Sequence, residues 1–305
     1  MSVADSCTGE NFDYRIAIIV PLSSRNLQSG HLRDLPLWNT QILSIKSTWG
    51  SSKNIGFDWY FGFDVGDPLF DRPEAAKDFM QIFMSDLGVG TAASAGKARA
   101  RLLKINSGFA VGAPSWAVGL LAQIAVRDGA DFLYQINDDT EVLTPGWSDG
   151  LPKILQSMGY VGVTGPTDLN NGKIFTQSFV HRSHLKIFPR FFVKPFRNWW
   201  SDDFISKVYP DGHHRKAPYS VRHFPAKAAS RLRAGSAVEK YNIQSPVLAA
   251  FSYQGVEGVE GVLKKFVHDS QPVIAREIAL AEAKDYVTMG LQQCQKFQTN
   301  LKIIY

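Results

Sequence analysis

The order of apolar and polar positions divides this chain into alternating strand-like and helix-like segments. Residues 15–22, Arg-Ile-Ala-Ile-Ile-Val-Pro-Leu, are apolar on both faces, as in a central strand covered from two sides. Leu35, Trp38, Ile42 and Ile45 recur at near-helical spacing and predict a helix over 35–49. A second, aromatic strand over 57–63 closes in the turn Asp64-Val-Gly-Asp-Pro68. A helix over 73–83 and a short strand over 83–87 follow, then a loop of small residues, 88–95. Residues 114–128 carry Pro in the first turn and an apolar stripe of Trp116, Leu120 and Ile124, which predicts a helix ended by Gly129. It leads straight into a strand at 132–136, and successive β–α–β units of this kind build a parallel sheet.

Later segments read as a helix (150–158), a strand (160–165), a turn-rich loop (166–172), then a strand and a helix within 174–188. A strand over 219–224 and helices over 261–267 and 272–298 complete the pattern. The whole predicts an α/β fold with a mostly parallel central sheet flanked by helices.

The strand at 132–136 stops abruptly in Asn137-Asp138-Asp139-Thr140-Glu141. At the carboxyl end of a strand in an open α/β sheet, side chains project into the crevice where such folds bind ligands. Clustered carboxylates resist desolvation unless a cation or a set of donors sits among them. Hard oxygen ligands suit Mg²⁺ or Mn²⁺, which usually complete their shell with substrate phosphates. The bland alternative is an ordinary turn whose carboxylates cap backbone N–H groups. A second acidic pair, Asp202-Asp203, follows Trp199-Trp200-Ser201 and reads as a helix start, where acids are favoured by the helix dipole.

Composition narrows the chemistry only slightly. The 305 residues are 45% hydrophobic and 20% charged, an ordinary globular balance with enough chain for a sizeable core. A net charge of +5 suits nucleic acid, an anionic surface or a phosphorylated small substrate equally well. Residues 212–238 hold no acid and gather Arg215, Lys216, Arg222, Lys227, Arg231 and Arg233 with His213, His214 and His223. Two cysteines, Cys7 and Cys294, support neither a disulfide framework nor a Cys-based zinc site. A phosphate loop is excluded because Gly96-Lys97 is followed by Ala98 rather than Ser or Thr. Lys97, Arg99 and Arg101 lie either near a bound diphosphate or on a solvated helix face. No apolar run is long enough to span a bilayer, so a soluble, cytoplasmic protein without an integral membrane segment is expected, or a Golgi luminal one if this is a piece of a longer chain.

Asn137-Asp138-Asp139 after a helix and a strand resembles the Asp-X-Asp motif of GT-A fold glycosyltransferases. The order of motifs over residues 15–209 is similar too: strand with polar turn, strand ending in acid, acidic strand tip, aromatic segment, Trp-Trp-Ser-Asp-Asp. The resemblance implies a GT-A-like, Rossmann-like fold with a smaller acceptor-side region. Residues 1–14 would form a polar tail, 15–141 a nucleotide-sugar-binding half, and 142–305 the acceptor-side and C-terminal half of the same domain.

It further implies transfer of a sugar from a UDP- or GDP-sugar to a hydroxyl of a glycan or glycoconjugate, with Mn²⁺ or Mg²⁺ and without nucleic acid as partner. Arg25, Asp64, Asn137 and Asp138 would contact the nucleotide, and Asp139 would ligate the metal. A downstream His can complete the shell in such enzymes; His223 is the candidate, with the pair His268 and Asp269 as a weaker alternative. Asp203, supported by Asp202, would serve as general base in an inverting reaction, because a sugar hydroxyl needs its proton removed as it attacks. Two other readings compete. A nucleotidyltransferase also puts acids at strand tips, but it usually opens with a Gly-rich loop, and Pro21-Leu-Ser-Ser-Arg25 has no glycine. A carbohydrate- or nucleic-acid-binding module would use the basic aromatic stretch 173–233 and leave Asp138-Asp139 without a task.

Overall fold

The computed structural model describes residues 12–25, 27, 29–50, 54–87, 98–106, 113–193, 196, 200–224, 255–283 and 302–304. The first strand is central because it has two apolar faces to cover. β1 (Tyr14–Leu22) sends Ile16, Ile18 and Val20 into one core and Ala17 and Ile19 into another. It pairs in parallel with β2 (Ile55–Asp64) on one side and β4 (Phe132–Gln135) on the other. β3 (Ala98–Ile105) continues in parallel beside β2, and β9 (Lys302–Ile304) beside β3.

Beyond β4 the sheet becomes mixed. β7 (Ser178–His181) runs antiparallel to β4, and β6 (Val163–Asp168) antiparallel to β7. β8 (His214–His223) is parallel to β6, and β5 (Thr140–Val142) is antiparallel to β8. Among the described residues the strands join in one sheet in the order β5-β8-β6-β7-β4-β1-β2-β3-β9. Parallel pairs predominate, in agreement with the expected α/β class.

Helices cover both faces. A π-helical turn, Leu37–Ile42, runs into α1 (Leu43–Thr48) and packs with α2 (Ala75–Leu87) and α4 (Trp147–Ser157) over one core. Over the other lie α3 (Pro114–Arg127), α5 (His184–Ile187), α6 (Ser201–Lys207) and α7 (Gly255–Ala283). Among the described residues no helix is long and apolar enough to cross a membrane.

Several expected elements differ. The strand predicted at 83–87 is the last turn of α2, because Phe79, Phe83 and Leu87, four residues apart, form one buried helical stripe. Arg99 and Arg101 lie on a strand, not a helix: Ala98, Ala100 and Leu102 are buried at a period of two, so the arginines alternate with them. Each arginine has an acid, Asp58 for Arg99 and Asp128 for Arg101. The strand predicted from 160 begins at Val163, since Tyr160 takes the left-handed conformation at φ 60° that a strand cannot contain. The two predicted C-terminal helices are one helix through Pro272, anchored by buried Leu263 and Ile274; residues 284–298 lie outside the described residues, as do Cys7, Cys294, the loop 88–95 and Lys97.

The aromatic run from 188 onward is core rather than surface. Phe188, Phe191, Phe192 and Phe196 are all buried under α5 and α6. At their centre His184, itself buried, sits 2.6 Å from the Tyr209 hydroxyl through Nδ1 and 2.9 Å from the Phe191 carbonyl through Nε2. A carbonyl only accepts, so Nε2 carries the proton and Nδ1 takes the hydroxyl's.

Burial pushes the His184 pKa down to about 4. Unfolded, the ring takes its proton near pH 6.5; folded, it resists to about 4. Its stabilising contribution is therefore complete above pH 6.5 and lost as the pH falls to about 4, a difference of about 3 kcal/mol. In urea titrations between pH 7 and 4, His184→Gln should show a shallower decline than the parent; parallel curves would contradict this role.

Candidate active site

The strand directions bring the acids to one place. β1, β2 and β4 run parallel, and two antiparallel steps, β4 to β7 to β6, restore that direction for β6 and its parallel neighbour β8. The carboxyl ends of all five therefore lie along one edge of the sheet. That edge carries Asp64 at the end of β2, Asn137-Asp138-Asp139 just past β4, Asp168 at the end of β6 and His223 at the end of β8. Residues far apart in sequence meet here because the sheet is continuous.

His223 is the hub. Its Nδ1 lies 3.0 Å from Asp168 Oδ2 and its Nε2 lies 3.6 Å from Asp139 Oδ1. The side-chain nitrogens of Asn137 and Gln177 each approach Nε2 at 2.9 Å. Backbone contacts hold the partners in register: Thr140 of β5 faces His223 across the ladder, and the Phe224 N–H donates to the Asp139 carbonyl at 3.3 Å. Asp138 and Asp139 are both buried. Gln41, on the π-helical turn, donates to the Asn137 carbonyl at 2.7 Å and fixes the loop from below. A Cβ at Gly165 would fall 2.4 Å from the Gln177 carbonyl oxygen, so the approach of β6 to the Gln177 segment requires glycine there.

Whether these residues suit a divalent cation is tested by the donor set. Asp139 Oδ1 and His223 Nε2, 3.6 Å apart, can both touch one ion, since ordinary oxygen and nitrogen ligand bonds run at about 2.1 Å. Among the described residues no group of three or more His, Cys, Asp or Glu gathers around such a point. Two protein ligands leave positions for substrate phosphate and water, the usual habit of Mg²⁺. The donors fit on these terms. The alternative pair, His268 and Asp269, stands exposed on α7, where Asp269 is 2.6 Å from Lys265.

At the ends of β1 and β2 two turns are stitched together. Asp67 accepts from the N–H and hydroxyl of Ser24 and from the N–H groups of Leu69 and Phe70, which binds the turn after β1 to the turn after β2. Arg25 projects from this turn, 3.4 Å from the Val65 carbonyl. Asp64 accepts from the Ala113 N–H at 3.0 Å, directly ahead of α3, so part of its capacity goes to holding that helix.

On the other side, α6 begins at Ser201 after Trp200, which takes φ 73°. Trp200 packs against the core, and Trp199 lies outside the described residues. Phe204 and Ile205 anchor the helix, and Ser206 accepts the Phe175 N–H at 2.7 Å. Asp203 turns toward Lys207, 3.8 Å away. Asp202 differs: burial first, then the neighbouring Asp203 charge, raise its carboxyl to about 7, against the lowering effects of Ser201 and Lys216. Lys216 donates to the Ile174 carbonyl and lies 4.3 Å over the Phe175 ring; desolvation lowers its pKa to about 8. Asp168 acts electrostatically on both Asp202 and Lys216, so α6 and the His223 cluster belong to one neighbourhood.

Sequence reading missed Asp168, Gln177 and Asp67. Asp168 ends a strand just as the acids after β4 do, but Pro166 and the following Asn-Asn-Gly made its strand look like a loop. Of the basic segment, Lys227, Arg231 and Arg233 lie outside the described residues.

Comparison with known proteins finds no matching family model and no matching curated protein. Solved structures overlap in part. S. aureus TarS is 10% identical at a TM-score of 0.43, over 68% of this chain and 36% of that one. TarS 1–349 in complex with UDP-GlcNAc is 10% identical at 0.42, over 69% and 59%. The mannosyltransferase PcManGT from Pyrobaculum calidifontis, in complex with GDP-Man and Mn²⁺, is 13% identical at 0.41, over 88% and 75%. Values this low define no family and transfer no ligand.

Proposed function

We propose that this chain is a nucleotide-sugar-dependent glycosyltransferase of the inverting kind, using a divalent cation and a hydroxyl acceptor on a glycan or glycoconjugate. The observation that carries the reading is the facing pair Asp139 and His223 at the carboxyl edge of the sheet. The resemblance of Asn137-Asp138-Asp139 to the Asp-X-Asp motif and the raised Asp202 carboxyl add to it.

In this reading Asp139 and His223 hold Mn²⁺ or Mg²⁺, which when bound neutralises charge on the donor diphosphate. Arg25, Asp64, Asn137 and Asp138 border the donor nucleotide. Asp202 takes the proton of the acceptor hydroxyl, whose oxygen bonds to the anomeric carbon as the bond from that carbon to the diphosphate breaks. A carboxyl titrating near the working pH is suited to this task, since a substantial fraction is ionised and that fraction is more basic than an ordinary carboxylate. Asp203, already paired with Lys207, tunes Asp202 by its charge. A binding module fits less well: the phenylalanines it would present from the 188–196 stretch are in the core.

Calorimetric titration with UDP, GDP and their sugars, with and without Mn²⁺, tests the reading. One nucleotide should bind only with the metal, and Asp139→Ala should abolish that binding. Binding indifferent to both Mn²⁺ and Asp139 would sink the proposal.

A further inference from the structure

The geometry assigns Asp168, a residue outside the acidic tip, as the positioning residue of the cation site: it sets the tautomer of His223 and aims its Nε2 at Asp139. This rests on the Asp139–His223 pair of the proposed function and asks what makes that pair usable.

Asp168 is 1% exposed, and its carboxylate is held at three points. Oδ1 accepts the Asn170 N–H at 2.9 Å, and Oδ2 accepts the Thr176 hydroxyl at 3.0 Å and faces His223 Nδ1 at 3.0 Å. Asn170 also donates from its side chain to the His223 carbonyl at 2.5 Å, so ring and backbone are both fixed relative to β6. A carboxylate only accepts, which places the imidazole proton on Nδ1.

The opposite side of the ring gives the same answer independently. Gln177 donates from its NH₂ group to the Thr140 hydroxyl at 2.8 Å, and Asn137 Oδ1 accepts from Gln135, so both amides turn their NH₂ groups toward Nε2. A proton on Nε2 would point into two donors while a bare Nδ1 faced a carboxylate. The Nδ1–H form removes both conflicts: the Nε2 lone pair accepts the two amide N–H groups, which a cation held between Nε2 and Asp139 Oδ1 would displace. Carboxylate–histidine pairs of this kind orient metal-binding imidazoles, and their loss typically lowers metal affinity about 10–100-fold.

Asp168→Asn is the informative variant. The Asn170 N–H holds an oxygen at the Oδ1 position, so the new NH₂ group falls opposite Nδ1 and forces the proton to Nε2. In the metal-free parent at pH 7.5, the imidazole ¹⁵N spectrum of His223 should show Nδ1–H; an Nε2–H ring there would overturn the inference without any variant. Free Mn²⁺ counted by electron paramagnetic resonance should show about 10–100-fold weaker binding to folded Asp168→Asn, with the ring switched to Nε2–H. Equal Mn²⁺ affinity in parent and variant would refute the role of Asp168 alone. Absence of Mn²⁺ binding by the parent would refute the cation site itself, and with it both readings.

Discussion

Asp202→Asn is expected to slow sugar transfer on the order of 10²–10⁴-fold while metal-dependent nucleotide binding persists. The separation follows from the layout: the residues proposed to meet the donor and the cation lie at the ends of β1, β2, β4 and β8, whereas Asp202 stands on α6. Its carboxyl, raised to about 7 chiefly by burial, must be ionised to accept a proton. Transfer should therefore rise with pH through about 7 and level off above it. Asp203→Asn removes a like charge beside Asp202, so the midpoint of that rise should move to lower pH with much of the rate retained. Steady-state rates of both variants from pH 5.5 to 9 check the assignment. If Asp203→Asn is the dead enzyme and Asp202→Asn the active one, the two roles are reversed.

The largest loss of stability should come from the opposite end of the sheet. Asp58 is fully buried in β2 and bonds Arg15 of β1 on one side and Arg99 of β3 on the other, so one carboxylate joins three strands. Burial alone would raise its pKa, but hydrogen bonds and charge from the two guanidinium groups hold it below the usual carboxylate range. The contribution is present above the ordinary carboxylate pKa and is lost as the pH falls through the depressed one. Asp58→Ala leaves two largely buried cations facing each other and should cost about 3–5 kcal/mol, a large share of the roughly 5–15 kcal/mol that keeps a typical domain folded. Even the near-isosteric Asp58→Asn fails one arginine, because its NH₂ group meets a donor. Replacing all three residues by apolar ones of similar volume should restore much of the loss. Urea unfolding of the single and triple variants decides the matter; an Asp58→Ala protein as stable as the parent would show the bridge to be idle.

Elements whose signal is local were legible from the order of residues alone. Two-sided apolar runs at 15–22 and 57–63 became β1 and β2, the stripe after Pro114 became α3, and the acids after 136 emerged at a strand tip. Alternation and helical spacing are properties of neighbouring residues, so they survive without knowledge of the fold. Tertiary structure decided the rest. That Arg99 and Arg101 are ion-paired in a strand depends on Asp58 and Asp128, far away in sequence. That the Asp202 carboxyl is raised depends on the desolvation it meets in the first turn of α6 and on the Asp203 charge beside it. Above all, His223 joins the acids of residues 137–139 only because β5 pairs with β8, and it meets Asp168 only because β8 also pairs with β6. A residue's type tells what it can bond; strand order and burial determine which partner it meets and how strongly water competes.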